Sequence, residues 1–167
     1  MYIKTLSLRY GCALLVALLY PFFSFVLSPL TVYASFYLLS LFYDASLSGN
    51  ILVINNVSFV FIAACTAALA HVLLAELIFV TKGISFAMGM RLFILGSVTI
   101  FLMNLVRILL LVAVYFTFGE NYFDAVHIFF WQFVSTIFVA LVWIVLVEVY
   151  KIKTIPLYSD IRTVLQK

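Results

Sequence analysis

Three residues of this chain have side chains that could act together on a carbonyl group: Cys65, Arg107 and His127. A thiolate is a strong nucleophile, an imidazole can take up and return a proton, and a guanidinium can stabilise a thiolate or an oxyanion. Cys65 stands among alanines in an apolar run, where a larger side chain would fill more space. The combination is typical of covalent cysteine catalysis, provided that the fold brings the three side chains together.

The composition indicates that these residues belong to a membrane protein. Of the 167 residues, 68% are hydrophobic and only 9% are charged, which is more apolar surface than one soluble core can bury. Apolar runs of about 20 residues, the length that crosses a hydrocarbon layer roughly 30 Å thick, recur along the chain. We therefore predict an all-α, multi-pass protein of the cell membrane, with one membrane-embedded domain over 1–167.

The basic residues predict the orientation of the chain. Cytoplasmic loops carry an excess of Lys and Arg, so we predict that both termini and the loop 81–91 are cytoplasmic, while 44–58 and 119–125 lie outside. Eight of the nine basic residues flank these inner ends: Lys4, Arg9, Lys82, Arg91, Lys151, Lys153, Arg162 and Lys167. Topology thus accounts for the net charge of +3, and nothing in the charge pattern indicates nucleic-acid binding.

Four transmembrane helices follow from these anchors, over about 10–28, 60–80, 92–118 and 126–149. The apolar segment 30–43 is short for a span, and its Tyr and Phe residues favour a helix that lies at the outer interface. Gly-Asn and Asn-Asn turn signals in the stretch that follows predict a small extracytoplasmic hairpin.

Counting from the inner ends of the spans places the three polar side chains near one depth. Cys65 lies 17 residues before Lys82, and Arg107 lies 16 residues after Arg91. At about 1.5 Å per helical residue, both lie roughly 24–25 Å from the cytoplasmic boundary. His127 opens the last span at its outer end. The sequence therefore predicts a site that faces the extracytoplasmic side.

Two further residues are expected to support this site. Asn104 precedes Arg107 by three residues, so both lie on one helical face and the amide could brace the guanidinium. Asp124 suits the N-cap of the last helix, and Gly119 suits the end of the helix before it. His127 would then lie in a first turn, where the helix dipole disfavours imidazolium while the Asp124 carboxylate favours it, so either protonation state is open.

Each candidate also has a structural interpretation. Arg107 could extend toward the outer headgroups, His127 could stack among interfacial aromatic rings, and Cys65 could be a small packing residue like Cys12. Cys12 lies near the opposite face, so no disulfide is expected. His71 follows Cys65 by six residues, about 240° around a helix, and should face away from it. The spacing of His, Cys and carboxylate residues predicts neither a metal site nor a cofactor.

The segments AACTAAL, NLVRI and DAVH, in this order on successive spans, resemble the archaeosortase/exosortase family of membrane transpeptidases. The resemblance covers about residues 45–135. It implies that Cys65 is the nucleophile, that His127 is the general base and acid, and that Arg107 stabilises the oxyanion or thiolate. Asn104 matches the Asn of the family's Asn-x-x-Arg pattern.

The resemblance also implies a substrate and a reaction. The substrates are secreted proteins that end in a short motif, a transmembrane helix and a basic cluster. The signal is cut at the outer face, and the new carboxyl end passes to a membrane lipid or another acceptor. This chain departs from the family at one place: Cys65-Thr66-Ala67 stands where the family often has Cys-Ser-Gly, a difference that concerns substrate preference and local turn geometry.

A second hypothesis is non-catalytic, namely a membrane scaffold or a subunit of a larger membrane complex. Arg107 would then pair with an acidic residue on a partner helix, and Cys65 would only pack. That hypothesis predicts that Cys65→Ser is silent, whereas the enzyme hypothesis predicts a loss of processing. A transporter is a third class, but four spans with one buried cation provide little pathway for it.

Overall fold

The computed structural model describes residues 2–152. That part of the chain is mostly helical and contains six α-helices and one small sheet, as the sequence predicts in outline. The helices are α1 (Tyr2–Leu18), α2 (Tyr20–Leu39), α3 (Ala68–Val80), α4 (Phe86–Phe118), α5 (Glu120–Phe129) and α6 (Ser135–Val149), and the strands are β1 (Ala45–Ser48), β2 (Ile51–Ile54) and β3 (Val57–Val60). The basic residues Lys153, Arg162 and Lys167, on which the predicted inner C-terminus partly depends, lie outside the described residues.

Two of the described helices, α2 and α4, are long and apolar enough to cross a membrane. The predicted span over 92–118 lies entirely within α4, which has 33 residues and is therefore about 50 Å long. Shorter apolar helices are found over 7–18 within α1 and over the whole of α3 and α6.

The first two helices are divided differently from the prediction. The sequence predicts a span over 10–28 and a separate interfacial helix over 30–43, but the break falls at Leu19 and α2 then continues through Pro29. Pro21 lies in the first turn of α2, where a missing N–H costs nothing. Pro29 removes one helical hydrogen bond, which the packing of α2 against α3 and α4 outweighs. The predicted boundary before 30 is therefore wrong.

The predicted outer hairpin is a three-stranded antiparallel sheet in the order β1-β2-β3, with one strand more than expected. The turn signals form the two connections. Gly49, Asn55 and Asn56 have φ values of 60°, 48° and 68°, the left-handed conformation that two-residue hairpin turns require.

One face of this sheet packs on the helices. Leu52 and Ile54 of β2 are fully buried against Leu39, Ile108 and Val112. Because side chains alternate between the faces of a strand, a slip of one residue would expose both. The helices therefore fix the register of the sheet and its position beside α4.

Helices α3, α4 and α6 approach one another closely at Gly96. A Cβ atom there would lie 2.5 Å from Leu74 Cδ2 and 3.1 Å from Leu146 Cδ1, so any larger residue would force these two side chains to move. The core around this crossing consists of Leu74, Ile78, Leu92, Ile100 and Val139.

The last predicted span, over 126–149, begins earlier than expected. Gly119, with φ of 90°, ends α4 and precedes α5, which begins at Glu120. A π-helical segment over Phe130–Val134 then joins α5 to α6. Asp124 therefore lies inside α5 and is not an N-cap, and the prediction that it would cap the helix is wrong. Glycine flexibility and a first-turn glutamate, which suits the helix dipole, set the start of the helix instead.

Candidate functional site

Cys65 lies in a turn and not in a transmembrane helix. The predicted helix over 60–80 begins only at Ala68, because β3 is followed by a 3₁₀ turn over Ala63–Thr66, which we call the Cys65 turn. The main-chain N–H of Cys65 donates to the oxygen of Ile62 at 2.9 Å. The thiol is half-buried.

The Cys65 turn is followed by Ala67, which has φ of 53° and ψ of 23°. This left-handed conformation costs a residue other than glycine about 1–2 kcal/mol. It reverses the path of the chain, and the Ala67 oxygen then accepts from the N–H of Ala70 at 3.0 Å in the first turn of α3. The reversal leaves the main-chain oxygens of Ala64 and Cys65 available to side chains.

Two side chains of α4 hold these oxygens. Arg107 donates from Nη2 to the Ala64 oxygen at 3.1 Å, and Asn104 donates from Nδ2 to the Cys65 oxygen at 2.8 Å. Both side chains are buried, with 5% and 4% of their surface exposed. The sequence predicts that Asn104 braces the guanidinium, but the two side chains instead hold the same turn.

The guanidinium of Arg107 has more N–H groups than the described residues use as hydrogen-bond donors. Its Nη1 donates to the hydroxyl of Ser135 at 3.3 Å, and a guanidinium carries N–H groups on all three nitrogens. Its Nε is buried and has no hydrogen-bond partner among the described residues, and the same is true of Asn104 Oδ1. Buried polar groups of this kind call for an explanation, and a guanidinium that lines the same cavity as a thiol is suited to stabilise negative charge there.

Cys65, Arg107 and His127 line one cavity of about 250 Å³, which we call the thiol cavity. Glu120 and Asp124 also line it. The structure thus brings together the three side chains that the sequence singles out, from the turn, from α4 and from α5.

His127 lies in the last turn of α5, not in a first turn as predicted. It follows Asp124 by three residues, so both side chains lie on one face of the helix. The imidazole is half-buried, and its centroid lies 5.6 Å from the ring of Phe123. Phe123 in turn contacts Phe59 and Tyr115, at 5.9 and 5.8 Å between centroids. Phe123 of α5, packed against rings from the sheet and α4, therefore lies on one side of the imidazole.

His71 lies away from the thiol cavity, as predicted. Its Nδ1 is 2.9 Å from the Ala67 oxygen, and its Nε2 is 3.3 Å from the Ser97 oxygen. The ring is therefore engaged with main chain at the packing of α3 on α4. Among the described residues, no group of three or more His, Cys, Asp or Glu side chains is placed to hold a metal ion.

Sequence reasoning missed Ser135 and Glu120. The Ser135 hydroxyl accepts from Arg107 and donates to the Phe130 oxygen at 2.8 Å, across the π-helical segment. The available signal was a hydroxyl inside an otherwise apolar run. Glu120 was visible only as part of a polar loop, and its place on the thiol cavity depends on where α5 begins.

Comparison of the chain with protein-family models, with curated proteins and with solved structures gives no match.

Proposed function

We propose that the chain is a membrane cysteine transpeptidase or peptidase, similar to the archaeosortase/exosortase family, that cleaves C-terminal sorting signals of secreted proteins at the outer membrane face. The observation that supports it best is the thiol cavity, where Cys65, Arg107 and His127 come together from three separate segments. These are also the residues on which the family resemblance depends.

The proposed first step forms an acyl-enzyme. The Cys65 thiol gives its proton to the His127 imidazole, and the sulfur attacks the carbonyl carbon of the scissile peptide bond. The guanidinium of Arg107, which lines the same cavity, stabilises the oxyanion. As the C–N bond breaks, the imidazolium returns the proton to the leaving amine. The C-terminal tail is released, and the rest of the substrate remains on Cys65 as a thioester.

The second step resolves the thioester. The acceptor is a hydroxyl or amine group of a membrane lipid or another molecule, or it is water. His127 takes the acceptor's proton, the acceptor forms a bond to the acyl carbon, and the sulfur leaves as thiolate and is reprotonated by the imidazolium. With a hydroxyl or amine acceptor the overall reaction is the transfer of a transpeptidase, and with water it is the hydrolysis of a peptidase.

The proposed topology has four membrane crossings with both termini cytoplasmic. Helix α3 has 13 residues, so at about 20 Å it is too short to cross a hydrocarbon layer of roughly 30 Å alone. The Cys65 turn would complete that crossing. Non-helical backbone is tolerated at membrane depth where protein groups satisfy its carbonyls, and Arg107 and Asn104 do so here.

The position of Arg107 supports the non-catalytic scaffold hypothesis less well than the enzyme hypothesis. An arginine that pairs with a partner helix should present its guanidinium on an outer face of the bundle. Arg107 is only 5% exposed, and its hydrogen bonds run to the Cys65 turn and to Ser135.

The test is a search for the acyl-enzyme. The full chain is purified from membranes of its own cells, and peptides that contain Cys65 are analysed by mass spectrometry for a thioester to the C-terminus of a processed protein. Cys65→Ala should abolish the adduct and the processing, and His127→Ala should lower processing by about a thousandfold or more. Cys12→Ala, the matched control at the other free cysteine, should process normally. Near-normal processing by Cys65→Ala would refute the proposal.

A further inference from the structure

The strand that leads to the Cys65 turn is an edge strand. The sheet order is β1-β2-β3, so β3 has no neighbouring strand on its other side among the described residues. Six consecutive residues over 57–62 line the thiol cavity together with Cys65. We propose that the free edge of β3 binds the substrate as an extended segment, through main-chain hydrogen bonds, and so delivers the scissile carbonyl to the thiol. The inference rests on the proposed function, because it assumes a peptide substrate.

The register of the sheet shows which main-chain groups are free. Ile54 pairs with Val57 across a two-residue turn, so these two exchange main-chain hydrogen bonds. The pattern alternates along an antiparallel pair. The N–H and C=O groups of Ser58 and Val60 therefore point away from β2. Consistent with this alternation, the N–H of Phe61 points back toward the sheet and donates to the Asn50 oxygen at 2.8 Å.

The free groups lie where a substrate can reach them. Ser58 is exposed, Val60 is 60% exposed, and both line the thiol cavity. The strand VSFV contains no Lys or Pro, the residues with which proteins usually block an exposed edge. The opposite edge strand, β1, packs against α2 instead. An open, unblocked edge is a ready template for an added strand.

The free edge of β3 also leads toward the Cys65 thiol. From Val60 the chain continues through Ile62, whose oxygen accepts from the N–H of Cys65 at 2.9 Å. A peptide that pairs with Ser58 and Val60 and continues along the cavity reaches the thiol a few residues later. Main-chain hydrogen bonds of this kind do not depend on the side chains of the bound peptide. Specificity for the peptide would therefore come from the cavity wall that includes Phe59, Leu111 and Tyr115.

Proline substitution tests this edge without breaking the sheet. Val60→Pro removes an N–H that faces the cavity, and proline is tolerated on an edge strand where the N–H faces outward. Ser58→Pro is a second variant of the same kind. Ala45→Pro is the matched control, because the register of β1 with β2 makes the Ala45 N–H point away from β2, on the side of the sheet opposite to β3.

The assay measures alkylation of Cys65 in the purified full chain, in a Cys12→Ala background. The probes are acetyl-Ala-Ala-Ala chloromethyl ketone, which has a peptide backbone, and iodoacetamide, which has none to pair. Val60→Pro or Ser58→Pro should slow the peptide reagent by at least about fivefold relative to iodoacetamide, the size expected for a lost hydrogen bond. Ala45→Pro should leave that ratio unchanged. If the ratio of the two alkylation rates is the same in the parent protein and in all three proline variants, the inference is wrong.

A protection experiment separates this inference from the proposed function. Unreactive acetyl-Ala-Ala-Ala amide should protect Cys65 from iodoacetamide in the parent protein and not in Val60→Pro. If it protects but no acyl-enzyme forms in cells, the edge binds peptides and the proposed chemistry is wrong. If Val60→Pro and Ser58→Pro both process secreted proteins normally, the chemistry stands and the edge is not the binding site.

Discussion

The side-chain amide of Asn104 donates to the main-chain oxygen of Cys65 at 2.8 Å, across 39 residues of sequence. One turn further along α4, Arg107 donates to the main-chain oxygen of Ala64. The position of the thiol therefore depends on α4 and not only on the helix that follows the turn.

Replacing Asn104 with Leu keeps the approximate size of the side chain but removes the donor without adding a charge. The Cys65 oxygen would lose its partner, at a cost of about 1–3 kcal/mol for a buried acceptor. Processing should fall by at least about tenfold. Thr99→Val is the control, because the Thr99 hydroxyl bonds only within α4. Equal activity of the two variants would show that the amide does not position the turn.

Replacing Arg107 with Lys should restore little of the function that Arg107→Met removes. The guanidinium donates to Ala64 and to Ser135 from different nitrogens, whereas an ammonium is a single point charge. Processing by both variants should stay below about a tenth of normal, since a buried group is left unpaired in each. The measurement is processing of secreted proteins at matched protein levels in the membrane. Full activity of the Lys variant would mean that charge alone suffices.

Replacing Ala67 with Gly should stabilise the protein. Its φ of 53° strains alanine and not glycine, so the free energy of unfolding should rise by about 0.5–1 kcal/mol. Ala68→Gly, one residue later in the first turn of α3, should lower it by about 0.5–1 kcal/mol. Thermal unfolding in detergent compares the two variants. A decrease for both would show that the Cys65 turn does not strain Ala67.

Cysteine labelling tests the proposed topology. In a Cys12→Ala, Cys65→Ala background, Asn50→Cys should react with an impermeant maleimide added to intact cells, and Phe86→Cys should not. Both positions are exposed, so access and not burial decides the result. Labelling at 86 without labelling at 50 would reverse the orientation.

Much of the site could be predicted because its residues are conspicuous. An arginine deep in an apolar run is costly unless something satisfies it, and the spacing to Arg107 and Cys65 from the basic flanks pointed to one end of the bundle. The structure brings Arg107, Cys65 and His127 to one cavity. Their chemical roles remain predictions.

The local structure around Cys65 could not be predicted from the sequence, for a physical reason. Alanine favours helix, so Ala67 gave no sign of a left-handed residue. The turn is stabilised by Arg107 and Asn104, whose contacts are tertiary. Asp124 misled in the opposite way: it is a cap signal, but Gly119 and Glu120 set the start of α5.

The order in which the chain is made has a consequence for its chemistry. The Cys65 turn is synthesised first, and the side chains that hold it follow 39 and 43 residues later. Ser135, which holds Arg107 in turn, is made later still. A nascent chain therefore carries an unorganised thiol until the last helix is in place. Under the proposed function, the site therefore becomes competent only when synthesis of the last helix is complete.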